Sequence, residues 1–269
     1  MMREFLAGLM YSTYLRATAL KGRQRCPLCG HRVPRFLPLP DQALSLPKQH
    51  GWPYASTDAE TFNATGYLCP FCNSADRHRL YALYVDRVLS ERSLRSKMRV
   101  VDFGPPKPFR RFMERRIRRL PYSVDYRTAD LRMDDVDDRV DITQMPIYDD
   151  DSCELFICSH ILEHVCDDRK ALAELHRILA PEGRGVVLVP IILTIDKIDE
   201  DPSETDTSER YRRFGQDDHV RLYSKKGFLD RLREAGFSVH ELGVDHFGTT
   251  TLDEQGISRQ SVLYVVEKS

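Results

Sequence analysis

The sequence predicts an α/β protein with a doubly wound, mostly parallel sheet, preceded by a small cysteine-rich module. From Met98 onward, apolar runs such as "MRVVDF", "LFICS" and "GVVLVPIIL" alternate with amphipathic segments. Such alternation is typical of a parallel sheet covered by helices on both faces. Two C-x-x-C pairs before residue 73 predict the module. We assign the module and a bridging helix to residues 1–97 and the sheet domain to residues 98–269.

The balance of charge is close to neutral, with 40 Lys and Arg residues against 41 Asp and Glu residues. The overall charge therefore indicates neither a protein that coats nucleic acid nor a protein with an acidic tail. No apolar run has the length of a membrane span, and the N-terminal "FLAGLMYSTYL" lacks the pattern of a signal peptide. We therefore predict a cytoplasmic protein whose N-terminal segment is a helix packed on the protein itself, with a helix on a membrane surface as the alternative.

The two C-x-x-C pairs predict a structural zinc site. Each pair can present two thiolates from one tight turn, and a tetrahedral zinc ion requires four. Four cysteine ligands leave no open coordination position, which argues against a catalytic zinc ion. A redox centre is the alternative, because paired C-x-x-C motifs also serve that role. The predicted ligands are Cys26, Cys29, Cys69 and Cys72.

The segment between the two pairs, "LPLPDQALSLPKQHGWPYAS", is interrupted by prolines and predicts an ordered loop with little regular structure. Ser74 is then a candidate N-cap of a helix that bridges the module to the sheet. This helix carries apolar residues at helical spacing, namely Leu80, Leu83, Tyr84 and Val88.

The sheet domain continues with a basic helix from Phe109 to Leu120 and a second strand, "YSVDY". The later helix "DDRKALAELHRIL" is predicted to be capped by Asp167 or Asp168. After a further helix capped by Ser224, the runs "FSVHELGV" and "SVLYVVEK" predict an antiparallel pair at the edge of the sheet.

Ligands of doubly wound sheets bind beside the carboxyl ends of the strands. The candidate ligand-binding residues there are Asp102, Gly104, Asp125, Asp141, Ser159 and His160. The loop after the first strand, "GPPKP", has neither the G-x-G-x-x-G pattern nor a P-loop pattern, so nucleotide phosphates are a poor candidate ligand.

The segment from Asp141 to Ile191 resembles the class I S-adenosylmethionine-dependent methyltransferases. The resemblance rests on an aspartate before a turn, the strand "LFICS", the helix start "LEHV" and the helix end "RILAPEG". The C-x-x-C module followed by "RHRL", together with "ERYRRFGQDDHVRLYS", resembles one bacterial branch of that family. The resemblance implies a Rossmann-like, seven-stranded methyltransferase fold and S-adenosylmethionine as the cofactor.

The resemblance also implies roles for residues after the first strand. Asp102 and Gly104 match the acidic residue and the first glycine of the motif that borders the methionine part of the cofactor. Pro106 and Pro108 stand where the later glycines are usual. Because prolines lack an N–H donor, the cofactor carboxylate needs another partner. We expect the Gly104 amide, the Lys107 side chain or an arginine of "RHR" to fill that role.

The remaining cofactor contacts are implied in the same way. Asp125, taken as the end of the second strand, matches the carboxylate that accepts hydrogen bonds from the ribose hydroxyls. Asp141 and the backbone of Ile142 match the pair beside the adenine amino group. Ser159 and His160 lie where the resemblance places the opening toward the transferred methyl group.

Three histidines are candidate catalytic residues: His160, His164 and His219. A base is needed when the methyl acceptor is a hydroxyl or a protonated amine. The "HILEH" segment and the later His219 are similar to the layout of O-methyltransferases that hold a divalent cation, although His160 replaces a glutamate there. The alternative is that His164 forms a hydrogen bond at a helix start and His219 anchors its loop.

The acceptor is expected to be a hydroxyl or an amine of a small molecule or glycan. The polar segment 196–219, which we call the lid, follows the fifth strand, where such enzymes place their substrate cover, and its composition predicts mobility without ligand. An RNA methyltransferase that uses the arginines of the basic helix is one alternative. A degenerate methyltransferase fold that only binds a ligand is the other.

Overall fold

The computed structural model describes residues 22–91 and 98–269. The predicted N-terminal helix lies outside the described residues. The strands, in chain order, are β1 (Gln24–Arg25), β2 (Arg32–Val33), β3 (Met98–Phe103), β4 (Val124–Asp130), β5 (Asp138–Arg139), β6 (Cys153–Ser159), β7 (Leu179–Leu188), β8 (Asp199–Glu200), β9 (Arg221–Leu222), β10 (Phe237–Leu242) and β11 (Leu263–Lys268). The helices are α1 (Asp41–Gln49), α2 (Asp76–Glu91), α3 (Lys107–Ile117), α4 (Asp168–Ile178), α5 (Thr207–Phe214), α6 (Lys225–Glu234), α7 (Val244–Phe247) and α8 (Thr249–Glu254).

A seven-stranded sheet in the order β10-β11-β7-β6-β3-β4-β5 forms the centre of the described protein. The five neighbouring strands β5, β4, β3, β6 and β7 are parallel to one another. Strand β11 is antiparallel to both of its neighbours, β7 and β10. The predicted doubly wound sheet and the antiparallel pair at its edge are therefore confirmed. The strand order reverses beside β3, so the carboxyl ends of β3 and β6 form the crevice in which such sheets bind ligands.

The helices cover the sheet with the faces that their apolar spacing predicts. In α4 the buried stripe includes Ala171, Leu172 and Leu175, and the Asp167 side chain accepts a hydrogen bond from the Lys170 amide as its N-cap. Ser224 caps α6 through the Gly227 amide. Both caps were predicted, because serine and aspartate satisfy amides that the first helical turn leaves unpaired.

Two segments that were predicted as irregular contain helices. The segment between the two C-x-x-C pairs, residues 30–68, which we call the inter-knuckle segment, contains α1. Pro47 lies inside that helix near its end. The lid contains β8 and α5. Arg213 of α5 bonds to Asp199 and Asp201, and Phe214 is 1% exposed. Burial of one aromatic side chain and paired charges organise a segment whose polar composition predicted mobility.

The cysteine-rich module packs directly on the sheet domain. One hydrophobic cluster runs from Cys26, Leu28 and Phe36 through α2 into the central strands. Arg79 of α2 is fully buried, and its guanidinium lies 3.8 Å from the centre of the Phe36 ring. Its donors bond to five carbonyl oxygens, those of Gly66, Tyr67, Ser74, Gln255 and Gly256. This one side chain therefore joins the module to the C-terminal part of the chain.

Within residues 22–91 and 98–269, every helix is too short or too polar to cross a membrane.

Candidate active site and metal centre

Asp102 lies next to the end of β3 and is fully buried. Tyr126 donates a hydrogen bond to its Oδ2 atom at 2.7 Å, whereas Oδ1 has no partner among the described residues. Burial raises the pKa of Asp102 to about 7, against the opposing effect of the Tyr126 hydrogen bond. Burial and the charge of Asp102 raise the pKa of Tyr81, whose hydroxyl also lacks a partner.

Gly104 begins the loop after β3 in a left-handed conformation, with φ of 59°. The backbone conformation favours glycine, and a Cβ atom at this position would lie 3.2 Å from Ile161 Cδ1, so a side chain would also require Ile161 to shift. The Gly104 amide donates to the Ala129 carbonyl at 2.9 Å. The expectation that this amide is free for a cofactor carboxylate is therefore wrong, because β4 already uses it.

The loop's prolines lead directly into α3. Pro106 stands at the N-cap, and its carbonyl accepts hydrogen bonds from the amides of Phe109 and Arg110. The side chains of Lys107 and Arg77 remain as cationic candidates. Arg77 Nη1 donates to the Tyr67 hydroxyl, and its charge adds to burial in lowering the pKa of His160 to about 4, which places Arg77 near the strand ends.

The placement of Asp125 corrects the prediction for the second strand. Strand β4 continues to Asp130, so Asp125 lies at the amino end of the strand, where it forms a 3.0 Å ion pair with Arg99. The carboxylate at the carboxyl end belongs to Asp130. Its Oδ1 accepts from the amides of Arg132 and Met133, and its Oδ2 lies 3.6 Å from the Cβ position of Gly104.

Sequence reasoning missed Asp130 because it took "YSVDY" as the second strand. The next two residues, Arg127 and Thr128, are both polar, so the sequence carries no alternating pattern that would extend the strand to Asp130.

Asp141 and Ile142 follow the short strand β5 at the same end of the sheet. Asp141 Oδ1 accepts hydrogen bonds from the amide and hydroxyl of Thr143, and its carbonyl accepts from the Gln144 amide. The Asp141 side chain is exposed, and Ile142 is buried. The turn thus keeps a carboxylate and an apolar side chain together at the edge of the crevice.

Ser159 ends β6, and His160 follows it in a left-handed conformation with φ of 58°. The Ser159 hydroxyl is buried without a partner. His160 Nδ1 lies 3.2 Å from Glu163 Oε1, but the pair lacks hydrogen-bond geometry, so both oxygens of Glu163 remain without a donor. The sharp turn after β6 therefore carries several polar atoms into the crevice.

The structure brings all three predicted catalytic histidines close to Glu163, and two of them form with it a group that could hold a metal ion. One ligand atom each from Glu163, His164 and His219 lies within 4.8 Å of the others. His164 Nδ1 lies 3.2 Å from Asp218 Oδ2, and its ring meets the His219 ring edge to face at 4.6 Å. His160 stands beside this trio and contacts it through Glu163.

His219 is oriented by the carbonyl of Phe214, which accepts a hydrogen bond from its Nδ1 atom at 3.1 Å. Because a carbonyl oxygen only accepts, the proton of the neutral ring lies on Nδ1. Burial lowers the pKa of His219, which favours this neutral form. Nε2 is buried, has no partner in the part of the chain that the structure describes, and carries a lone pair, as a proton acceptor or a metal ligand requires.

Buried polar atoms without partners mark the crevice. Nine such side-chain atoms occur among the described residues, and six of them belong to five residues around the ends of β3 and β6: Tyr81, Asp102, Ser159, Glu163 and His219. Natural proteins pair nearly all buried polar groups. This concentration therefore indicates a place where a polar ligand completes the hydrogen bonding.

The four predicted metal-binding cysteines converge in the module. Cys26 Sγ lies 3.7 Å from Cys72 Sγ, and Cys29 Sγ lies 3.8 Å from Cys69 Sγ. All four sulfurs lie within 4.8 Å of one another. Thiolates about 2.3 Å from a zinc ion at the centre of a tetrahedron are about 3.8 Å apart. These distances fit a tetrahedral thiolate site and are far too long for a disulfide.

The two C-x-x-C turns have the same backbone geometry. The amides of Gly30 and Asn73 donate to the carbonyls of Cys26 and Cys69, and both residues have a left-handed φ. The Ser74 hydroxyl lies 3.4 Å from Cys26 Sγ and 3.3 Å from Cys72 Sγ. Ser74 therefore faces the sulfurs, whereas the sequence predicted it as the cap of α2.

A family model described as a methyltransferase domain matches residues 74–242. This range begins before α2, so the bridging helix lies within the matched part of the chain. Among curated proteins, none matches this chain.

Several solved structures are similar to this chain at low sequence identity. The citrinin polyketide synthase CMeT domain is 16% identical, with a TM-score of 0.48 over 74% of this chain and 54% of that one. The trans-methyltransferase CalH in complex with SAH is 13% identical, with a TM-score of 0.38 over 64% of this chain and 52% of that one. A SAM-dependent methyltransferase from Aquifex aeolicus is 15% identical, with a TM-score of 0.39 over 67% of this chain and 86% of that one. This chain spans about half the length of the first two.

Proposed function

Because the chain belongs to the methyltransferase domain family, we propose that it transfers the methyl group of S-adenosylmethionine to a hydroxyl or amine of a small molecule or glycan. The observation that carries this proposal is the set of unpaired buried polar atoms around the ends of β3 and β6. A polar cofactor and acceptor would satisfy these atoms, at the position where doubly wound sheets bind ligands.

The residues of the crevice fit the cofactor chemically. S-adenosylmethionine supplies an electrophilic methyl group on a sulfonium centre. Asp102 Oδ1, which has no partner among the described residues, would accept a hydrogen bond from an ammonium group, and Asp130 Oδ2 would accept from sugar hydroxyls. Arg77 and Lys107 provide positive charge for a carboxylate. These residues would orient the cofactor, and alignment supplies much of the catalysis in a displacement reaction.

We assign the acceptor side of the site to the histidines and Glu163. The unprotonated Nε2 of His219 would take the proton of an acceptor hydroxyl. The geometry also fits a divalent cation, since Glu163, His164 and His219 offer one carboxylate and two imidazole ligands. Such a cation would neutralise the buried Glu163 carboxylate and hold an acceptor oxygen. His160 would support Glu163 from the adjacent turn.

We propose that the four module cysteines hold one structural zinc ion. The sulfur spacing supports this assignment over a dithiol redox pair, and Ser74 would donate a hydrogen bond to the thiolates.

RNA is a second candidate acceptor, and one contact favours it. Arg115 of α3 donates to the Leu28 carbonyl in the first C-x-x-C turn, which places the basic helix beside the module. Three further arginines of this region, Arg111, Arg118 and Arg119, are exposed. Binding of an RNA oligonucleotide that weakens steeply with salt would favour this candidate over a small-molecule acceptor.

Calorimetry with S-adenosylhomocysteine tests the proposed function before any acceptor is known. We expect one site per chain, with affinity that is weakened in Asp130→Ala and kept in Asp125→Ala, because only Asp130 lies at the carboxyl end of β4. Absence of binding to the parent protein would contradict the proposal and favour a degenerate fold.

A further inference from the structure

The inter-knuckle segment contacts the lid through aromatic residues. His50 stacks on Tyr211 of α5 with the ring centroids 4.9 Å apart, and His50 Nδ1 lies 2.9 Å from Ser208 Oγ. Trp52 covers Gly215, so that a Cβ atom there would lie 3.1 Å from its ring. Gly215 ends α5 with φ of 83°, a conformation that glycine adopts without strain. The module thus holds the helix of the lid at both ends.

These contacts enclose a hydrophobic cluster that is separate from the main core. Phe214, Ile192 and Leu222 are buried in it, and Trp52 and Tyr54 pack against them from the module. Backbone hydrogen bonds also join the inter-knuckle segment to the residues that follow β7, from the Leu193 amide to the Asp58 carbonyl and from the Glu60 amide to the Ile191 carbonyl. The helix of the lid is therefore packed against the module, whereas Ile198 at the start of the lid packs against the main core.

The cluster reaches the candidate active site through one residue. The side chain of Phe214 is buried beside Trp52, and its carbonyl accepts the Nδ1 proton of His219. Any displacement of Phe214 therefore moves the acceptor that fixes the His219 tautomer. A ring nitrogen of His219 lies within 4.8 Å of ligand atoms of Glu163 and His164, and the hydrogen bond from Nδ1 to Phe214 leaves the lone pair on Nε2.

We propose that Trp52 is a positioning residue for His219, acting through Gly215 and Phe214. This inference rests on the proposed function, in which His219 serves the acceptor. The inter-knuckle segment is thereby part of the acceptor side of the enzyme, in addition to connecting the two C-x-x-C turns of the proposed zinc site. The module would therefore influence the tautomer of His219 but not the cofactor contacts proposed for Asp102 and Asp130.

The test measures the His219 tautomer by long-range ¹H–¹⁵N spectra of protein labelled in its imidazole rings. The His219 signals are assigned by their absence in His219→Asn. The parent protein should show His219 protonated on Nδ1 alone. Trp52→Ala should introduce the Nε2-protonated form, because it removes the ring atoms that cover Gly215.

Phe62→Leu is the matched control, because Phe62 is an aromatic residue of the same segment that packs on Tyr67 instead of the lid. It should leave the tautomer unchanged. Zinc content and S-adenosylhomocysteine affinity should stay within about twofold of the parent in all of these variants, since distant sites act independently. An unchanged tautomer in Trp52→Ala overturns the proposal.

Gly215→Ala tests the same contact from the lid and replaces Trp52→Ala if that variant does not fold. Trp52 is the only tryptophan, so its emission reports the contact directly. We expect a red shift of the emission together with the altered tautomer. A red shift with an unchanged tautomer contradicts the positioning role. Neither readout requires methyl transfer, so failure of the parent to bind S-adenosylhomocysteine would contradict only the proposed function.

Discussion

At the scale of single residues, the two ends of β4 show how position along a strand decides the role of a carboxylate. Asp125 and Asp130 lie on one strand, yet only Asp130 reaches the crevice. The resemblance assigned the ribose-binding role to Asp125, but the structure shows Asp125 in an ion pair with Arg99 at the opposite end of the strand.

The affinity for S-adenosylhomocysteine should separate these two aspartates. Asp130→Ala removes a carboxylate that we expect to accept hydrogen bonds from ribose hydroxyls, and the affinity should fall by about 1–3 kcal/mol. Asp125→Ala removes an ion pair that is about one-third exposed and should leave the affinity unchanged. Calorimetry measures both variants, and an unchanged affinity in Asp130→Ala would contradict the role assigned to this carboxylate.

Glu163 provides a second prediction at this scale. Co²⁺ added to the parent should give an absorption band from the site formed with His164 and His219, in addition to any cobalt bound by the cysteines. Glu163→Gln keeps the shape of the side chain but removes its charge, so it should lose this band and keep the thiolate band. Retention of both bands by Glu163→Gln would exclude Glu163 as a ligand.

At the scale of structural elements, the two C-x-x-C turns form a unit because each ends in a left-handed residue that directs its sulfurs toward the other turn. The turns are about forty residues apart in sequence, so a metal that links them closes a long loop in the unfolded chain. Metal binding should therefore contribute directly to the stability of the module.

Cys69→Ser should release the zinc ion, because a serine hydroxyl is a poor zinc ligand at neutral pH. Ser74→Ala is the milder comparison, since it removes only the hydroxyl near Cys26 and Cys72 and should retain the metal with weaker affinity. Metal analysis of protein purified without chelator measures both. An equal zinc content in Cys69→Ser and the parent would contradict the proposed ligand set.

At the scale of the whole molecule, the protein joins a module and a sheet domain through buried polar contacts. Arg79 binds carbonyls from both regions, and Glu60 of the inter-knuckle segment accepts hydrogen bonds from Tyr264 of β11 and Lys225 of α6. Charged groups so deeply buried are costly unless they are fully paired. The two units should consequently unfold together.

The pH dependence of global stability should contain a contribution from Asp102. Its pKa is raised to about 7 in the folded protein, whereas an unfolded aspartate has its ordinary low value. Between these values the folded state retains a proton that the unfolded state releases, so the free energy of unfolding falls as the pH rises. Between pH 5.5 and 7.5 this loss should be roughly 2 kcal/mol.

Asp102→Asn should remove this part of the pH dependence, since an amide of the same shape still accepts the Tyr126 hydrogen bond. Urea unfolding at pH 5.5 and 7.5 measures the difference between the variant and the parent. An identical loss of stability in both proteins would show that Asp102 is ionised throughout this range.

The sequence by itself determined the elements whose signals are local. Apolar runs and caps such as Asp167 and Ser224 predicted the strands and helices, because burial of one face and pairing of the first helical amides depend on neighbouring residues. The spacing of Cys26, Cys29, Cys69 and Cys72 likewise predicted a tetrahedral site. Local patterns also identified His160, His164 and His219 as candidates, though without their partners.

Only the tertiary structure decided which of these residues meet. The choice of Asp130 over Asp125 depends on the register of β4 against β3, which polar residues on a half-buried strand leave ambiguous in the sequence. The packing of Trp52 on Gly215, and through Phe214 on His219, joins positions more than 150 residues apart. Contacts of this kind depend on complementary shape and burial across the folded chain, and no pattern of neighbouring residues records them.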